Sequence, residues 1–236
     1  MRPTPTPTPT PTLIRAPAPE PRGRRPASPT LVHAALDDQT LLALILERMD
    51  PETDPARLAA ALLERFGSLG GVAGAAPGEL AQASSAGSAL RAELTLLREF
   101  AVRLARAEAS RRPVITSWTA LVAYVRAALA HEPREQFRTL FLDRRNILLR
   151  DEMTADGTVD HAPVYPREVI RRALELSASA LILVHNHPSG DPTPSQADIQ
   201  MTRQIVEAAR VFNLQVHDHL VVGREGTASF KALGLI

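Results

Sequence analysis

The chain has no cysteine. Disulfides, Cys-ligated zinc and Cys nucleophiles are therefore excluded, and any metal site must be built from His and carboxylates. Aromatic residues make up only 4% of the sequence, which leaves little for the base stacking used by single-strand nucleic-acid binders. No apolar run approaches the roughly 20 residues of a membrane span. The longest are strand-length stretches such as Ala180–Val184. The N-terminus lacks the apolar core of a secretory signal, so a cytoplasmic location without membrane contact is expected. An excess of one charge is missing too, with 27 basic and 26 acidic residues. Residues 1–30 hold five Arg and one Glu, so residues 31–236 carry a net charge of −3. A body that grips nucleic acid by charge alone is not indicated, although a local basic patch stays open.

What is abundant is proline, and it is unevenly placed. Residues 1–30 contain 10 of the 20 prolines, with alternating Pro and Thr from Pro3 to Thr12. Alternating proline removes backbone donors and fixes φ, so this tail is expected to be extended and disordered. Residues 31–112 read as a small all-helical domain. Asp37 or Asp38 opens a short helix, and Asp54 followed by Pro55 is a strong start signal for a second, running to Phe66. Gly67, Gly70 and Gly71 end it. A further helix starts near Pro77. A longer one covers about Ser88–Ala109, with Leu90, Leu94, Leu97, Phe100 and Leu104 near helical spacing.

Arg111-Arg112-Pro113 breaks this pattern, and the second domain is placed at 113–236. A helix is expected over Ser117–Ala130. Strands follow at Phe137–Leu142 and Asn146–Arg150, joined at Asp143-Arg144-Arg145. Then come a helix at Tyr165–Leu176, a buried strand at Ala180–His185, a helix at Ser195–Val211, a strand at Leu214–Val222 and a last short one near Ala228–Phe230. Strands mixed with helices in this order indicate an α/β (α+β) domain.

The chemistry concentrates at 181–198. An apolar strand delivers His185 and His187 at its C-terminal end, and side chains two apart on a strand share a face. Pro188, Gly190, Pro192 and Pro194 stop the strand. Ser195 then fits a helix N-cap and Asp198 the N3 position, which projects a carboxylate from the first turn. Ser-x-x-Asp is close to a capping box, and capping alone would explain it. Taken together with the two histidines, a His2Asp metal set results. Its fourth position is left for water, the layout of a catalytic rather than a structural zinc site. One zinc ion per chain is expected. Asp191 is a weaker competitor as ligand. Asp218 and His219 fit a supporting or core role better than metal binding, and His217 is assigned nothing.

His-x-His, seven residues, Ser, two residues and Asp is the full JAMM (MPN+) metalloprotease signature. The surrounding words Gly157-Thr158, Pro166-Arg167-Glu168, His185-Asn-His-Pro-Ser-Gly190 and Asp218-His219 resemble the bacterial RadC family (the UPF0758 group). The resemblance covers about 31–236 and is strongest over 133–236. It implies an MPN-type mixed sheet flanked by helices, and zinc held by His185, His187 and Asp198. It also implies a general base just before the first strand, for which Glu135 is the residue in place. Glu152, read as following the second strand, is the rival. Ser195 would donate to the oxyanion of an amide undergoing hydrolysis. The implied activity is a zinc metallopeptidase acting on a protein or peptide substrate.

In RadC-like proteins the helical region resembles a helix-hairpin-helix module, which grips DNA phosphates through backbone N–H groups. This sequence departs from that pattern. Ser84–Arg91 has one glycine where two are expected, and the flanking positive charge is Arg91, Arg98 and Arg103. The alternative function, a DNA repair or recombination protein with a metal-dependent nuclease activity, is therefore weakly supported. A phosphodiesterase would usually need more carboxylates or a second metal.

Overall fold

The computed structural model describes residues 36–49, 54–83, 87–111, 113–156 and 164–236. The Pro/Thr tail, Ser84–Ala86 of the hairpin and Gly157-Thr158 lie outside the described residues.

The described residues begin with five helices: α1 (Asp38–Glu47), α2 (Pro55–Phe66), α3 (Leu69–Gly74), α4 (Pro77–Ala83) and α5 (Gly87–Ser110). Their starts follow from the local chemistry. Asp37 caps α1 by accepting the Thr40 amide. Asp54 accepts the Ala56 and Arg57 amides, with Pro55 at the first helical position of α2. Gly67 closes α2 at φ +78°, a left-handed conformation that glycine adopts without a Cβ penalty. Gly70 and Gly71 do not belong to that ending. They lie inside α3, which Ser68 caps. Leu42, Leu46, Leu58, Leu62, Val72, Leu80, Leu90 and Leu94 form the apolar cluster of these helices.

The apolar stripe of α5 is buried only in its first half. Leu90 and Leu94 are buried, but Phe100 and Leu104 are 61% and 57% exposed. Further along, Val102, Ala105 and Ala109 pack with the next helix. A 3-10 turn at Val114–Ser117 leads into α6 (Trp118–Leu129). Residues Leu36–Ile236 form one compact unit.

The sheet has five strands in the order β2-β1-β3-β4-β5: β1 (Gln136–Leu142), β2 (Leu148–Asp156), β3 (Ala180–Asn186), β4 (Gln215–Val222) and β5 (Thr227–Ser229). Helix α7 (Pro166–Glu175) joins β2 to β3, and α8 (Gln196–Val211) joins β3 to β4. Only the β3–β4 pair is parallel, as a strand–helix–strand crossover requires. The other pairs are antiparallel, so the fold is mixed α/β as expected. All seven residues of β3 are buried. That agrees with its unbroken apolar run, because a strand covered on both faces has no reason to alternate. One face carries Leu140, Leu142, Ile182, Val184, Leu220 and Val222 against α6. The other carries Phe137, Phe141, Leu181 and Leu183 against α7 and α8.

The second strand departs from its expected bounds. Asn146 has φ +61° and belongs to the turn, where Asp143 accepts the Arg145 and Ile147 amides. Strand β2 starts at Leu148 and continues to Asp156. Glu152 therefore lies within β2 rather than after it.

Candidate metal centre and active site

Strand β3 ends at Asn186, and His187 is the first residue beyond it. The His187 amide still donates to the Val222 carbonyl at 2.9 Å, so β4 holds it in strand-like direction. His185 and His187 consequently face the same way. Their Nε2 atoms are 3.1 Å apart.

Asp198 arrives from the first turn of α8. A complete capping box fixes it: Ser195 Oγ accepts the Asp198 amide at 3.1 Å, and Asp198 Oδ2 accepts the Ser195 amide at 2.7 Å. Capping and ligation are not alternatives here, since the box aims the carboxylate. Asp198 Oδ1 lies 3.4 Å from His185 Nε2, and Oδ2 lies 3.5 Å from His187 Nε2. Three donors at about 2.0–2.2 Å from a tetrahedral ion would be about 3.3–3.6 Å from one another. The two Nε2 atoms are 3.1 Å apart and each has its own Asp198 oxygen, Oδ1 at 3.4 Å and Oδ2 at 3.5 Å, so the carboxylate straddles the imidazole pair at close to ligand spacing. One atom from each residue can be chosen with all within 4.8 Å of one another. Among the described residues, His185, His187 and Asp198 are the group able to hold a metal ion.

The electrostatics suit a cation. Burial by itself would raise Asp198, but the adjacent His185 and His187 rings outweigh it and hold the carboxyl far below its usual range. The N-terminus of α8 favours the same ionised form. Asp198 in turn raises His187, with the Asp191 carbonyl and Glu135 adding to the effect. Burial pushes His219 well below the ordinary imidazole value, so it is neutral.

The tautomer of His187 can be read from its partner. Its Nδ1 lies 2.8 Å from the Asp191 carbonyl oxygen, which can only accept. The proton therefore sits on Nδ1, and Nε2 is free to ligate. Asp191 thus contributes its backbone. Its carboxylate is turned away and accepts from the Thr193 amide and hydroxyl at 2.9 and 2.7 Å.

Glu135 is half-buried, immediately before β1. The β1–β3 register pairs Phe137 with His185, and one further step of two residues sets Glu135 opposite His187. The two are close enough for Glu135 to raise His187. Asn186, singled out by no sequence signal except its place between the two histidines, secures this segment. It is 1% exposed. Its Oδ1 accepts the Gln136 amide at 2.8 Å, and its Nδ2 donates to the Arg134 and Glu132 carbonyls at 3.0 and 3.4 Å. The rival Glu152 is held elsewhere, by Arg172 Nε and Nη2 of α7 at 2.7 and 2.6 Å.

Asp218 and His219 are both buried, but they do different work. Asp218 accepts the His219 and Lys231 amides at 2.8 and 3.0 Å and the Ser229 hydroxyl, tying the C-terminal turn to β4. His219 touches His185. His217 bonds Asn146, 2.5 Å away, and takes no part in the centre.

The three arginines that flank the hairpin each have a partner within the chain. Arg91 donates to the Ala75 carbonyl, Arg98 pairs with Glu132, and Arg103 pairs with Glu99. Among the described residues, no helix is long and apolar enough to cross a membrane.

Comparison with known proteins identifies the family. A family model described as RadC-like JAB domain matches residues 115–235. A curated UPF0758 protein from Rhodobacter capsulatus is 56% identical over 202 residues, covering 86% of this chain and 94% of the relative. With the metal triangle of His185, His187 and Asp198 inside the matched span, the chain belongs to the RadC-like JAB domain family.

Proposed function

We propose that the protein is a zinc-dependent hydrolase of the JAMM type that cleaves a peptide or isopeptide bond. The observation that carries this reading is the convergence, at the strand tip and helix start, of two Nε2 atoms 3.1 Å apart with the Asp198 carboxylate, whose two oxygens lie 3.4 and 3.5 Å from them. Two imidazoles and one carboxylate are a common set for catalytic zinc with an open fourth position. A zinc ion bound there supplies Lewis acidity and makes a water acidic enough to ionise near neutral pH.

The remaining steps fall to the protein. Glu135, held beside His187 by the Asn186 clamp, takes the proton from the attacking water and passes it to the departing amine. Ser195 uses an oxygen lone pair to cap α8, so its hydroxyl proton remains free to donate to the oxyanion. Asp198, kept ionised by its surroundings, offers charge to the cation without needing to lose a proton first.

The test uses a panel of fluorogenic peptides and isopeptide-linked lysine substrates. Glu135→Gln should retain zinc at the wild-type stoichiometry and lose about 10²–10⁴-fold in turnover, the usual contribution of a general base. Unchanged cleavage by Glu135→Gln would remove Glu135 from the mechanism. Cleavage that persists in zinc-free protein would remove the zinc-dependent, JAMM-type reading.

A further inference from the structure

Two fully buried polar side chains stand behind His185 without facing the metal triangle: Thr202 of α8 and His219 of β4. His219 reaches this position because of an irregularity in its strand. The β3–β4 register pairs Leu181 with Val216 and Ile182 with Asp218, so His217 is an inserted residue. Without the insertion, strict alternation would place Val216 and His219 on opposite faces. With it, His219 pairs with Leu183 and turns towards His185. Phe230 stacks on its ring at 4.5 Å, and Phe137 meets it edge-on at 5.5 Å.

The contacts form a chain. His185 Nδ1 is 2.8 Å from His219 Nε2. His219 Nδ1 is 2.6 Å from Thr202 Oγ1, which is 2.6 Å from the Asp198 carbonyl oxygen. The last atom sets a direction, because a carbonyl accepts and never donates. The Thr202 proton goes to Asp198, and the hydroxyl oxygen then accepts from His219 Nδ1–H. His219 Nε2 is left bare and accepts from His185 Nδ1–H. His185 Nε2, the atom within 3.1 Å of His187 Nε2, then carries a lone pair and no proton. Run in reverse, the same chain would turn an N–H of His185 into the triangle and block ligation.

We propose that Thr202 and His219 are positioning residues that hold His185 in the tautomer able to bind metal, with the backbone of the third ligand, Asp198, as the terminus of the chain. The proposal rests on the metal-site reading above. It ties two ligands together: Asp198 offers its carboxylate to the ion and its carbonyl, through Thr202 and His219, to the orientation of His185. Partners of metal-bound histidines act in this way and typically change metal affinity by about 10–100-fold.

The experiment measures zinc affinity of the full chain by competition with a chromophoric chelator. Thr202→Val, close in shape but without the hydroxyl, should bind zinc roughly 10–100-fold more weakly. Thr202→Ser, which keeps the hydroxyl, should restore affinity. Thermal unfolding of the chelator-treated proteins reports the fold separately from the site. In nitrogen-15 spectra of zinc-loaded wild type, His219 should carry its proton on Nδ1. Normal zinc binding by Thr202→Val, or a His219 protonated at Nε2, would overturn the positioning chain alone. A wild-type chain that takes up no zinc would instead contradict the site itself.

Discussion

Glu135 and Glu152 differ in what holds them. Asn186 clamps the backbone on either side of Glu135 and leaves its carboxylate unpaired among the described residues, whereas Glu152 is bound through both oxygens by Arg172. Hydrogen bonding from Arg172 lowers Glu152 below the ordinary carboxylate range. A carboxyl lowered on folding adds stability above its unfolded value, and that gain is lost as pH falls through the folded value. Glu152→Gln should therefore cost stability near neutral pH and nothing in strong acid. The pair is partly solvated, with side chains 36% and 28% exposed, so the neutral-pH loss should be no more than about 1 kcal/mol. Urea unfolding at pH 7 and pH 3 would measure it. Hydrolysis should be unaffected, and a large loss of turnover would reassign the base.

At this scale the ligands were legible because their spacing is local. A strand tip, a proline-rich loop and a helix start lie within fourteen consecutive positions, 185–198. Thr202 and Asn186 were not legible as partners, and His219 was legible only as a supporting or core residue, without its partner. Their roles depend on an inserted residue in β4 and on the register of β1 with β3, which no local pattern encodes.

Among the elements, β3 supports the most. It lies between β1 and β4, delivers His185, and is buried on both faces. Leu183 is fully buried among Phe137, Val169 and Ile205. Truncation there removes transfer energy and leaves a cavity, so Leu183→Ala should lower unfolding free energy by about 2–5 kcal/mol. Denaturant titration checks this, and a loss under 1 kcal/mol would mean that β3 is not the packed centre of the sheet. The ends of α2 and α8 were readable because caps are matters of a few adjacent residues: Asp54-Pro55 in one case, Ser195 and Asp198 in the other. The limits of β2 were not. Its residues Asp151 and Glu152 look like a loop in sequence, but Asp151 pairs with Arg138 at 2.9 Å and Glu152 with Arg172. Ion pairs made with β1 and α7 let charged residues continue a strand that composition alone would end.

At the scale of the whole molecule, the helical region meets the sheet region partly through glycine. His131, just after α6, lies against α3. A Cβ added to Gly74 would fall 2.7 Å from the His131 carbonyl oxygen and 2.9 Å from its Cβ. Gly74→Ala must displace backbone and should cost about 1–3 kcal/mol, read as a lower melting temperature; an unchanged one would show this contact to be slack. Gly70, whose added Cβ would also strike His131, was read from the sequence as a helix terminator because that partner lies more than fifty residues away. The apolar spacing of α5 was equally misleading about burial, since Phe100 and Leu104 remain exposed. Helical periodicity shows that residues share a face without saying what covers it. The central claim is narrower than either point, and it concerns two imidazoles and a carboxylate converging on one ion. Calorimetric titration of zinc into metal-free protein tests it most directly. The account predicts uptake of one ion per chain, abolished in His187→Ala. Uptake that is absent from the wild type, or equally tight in His187→Ala, would contradict it.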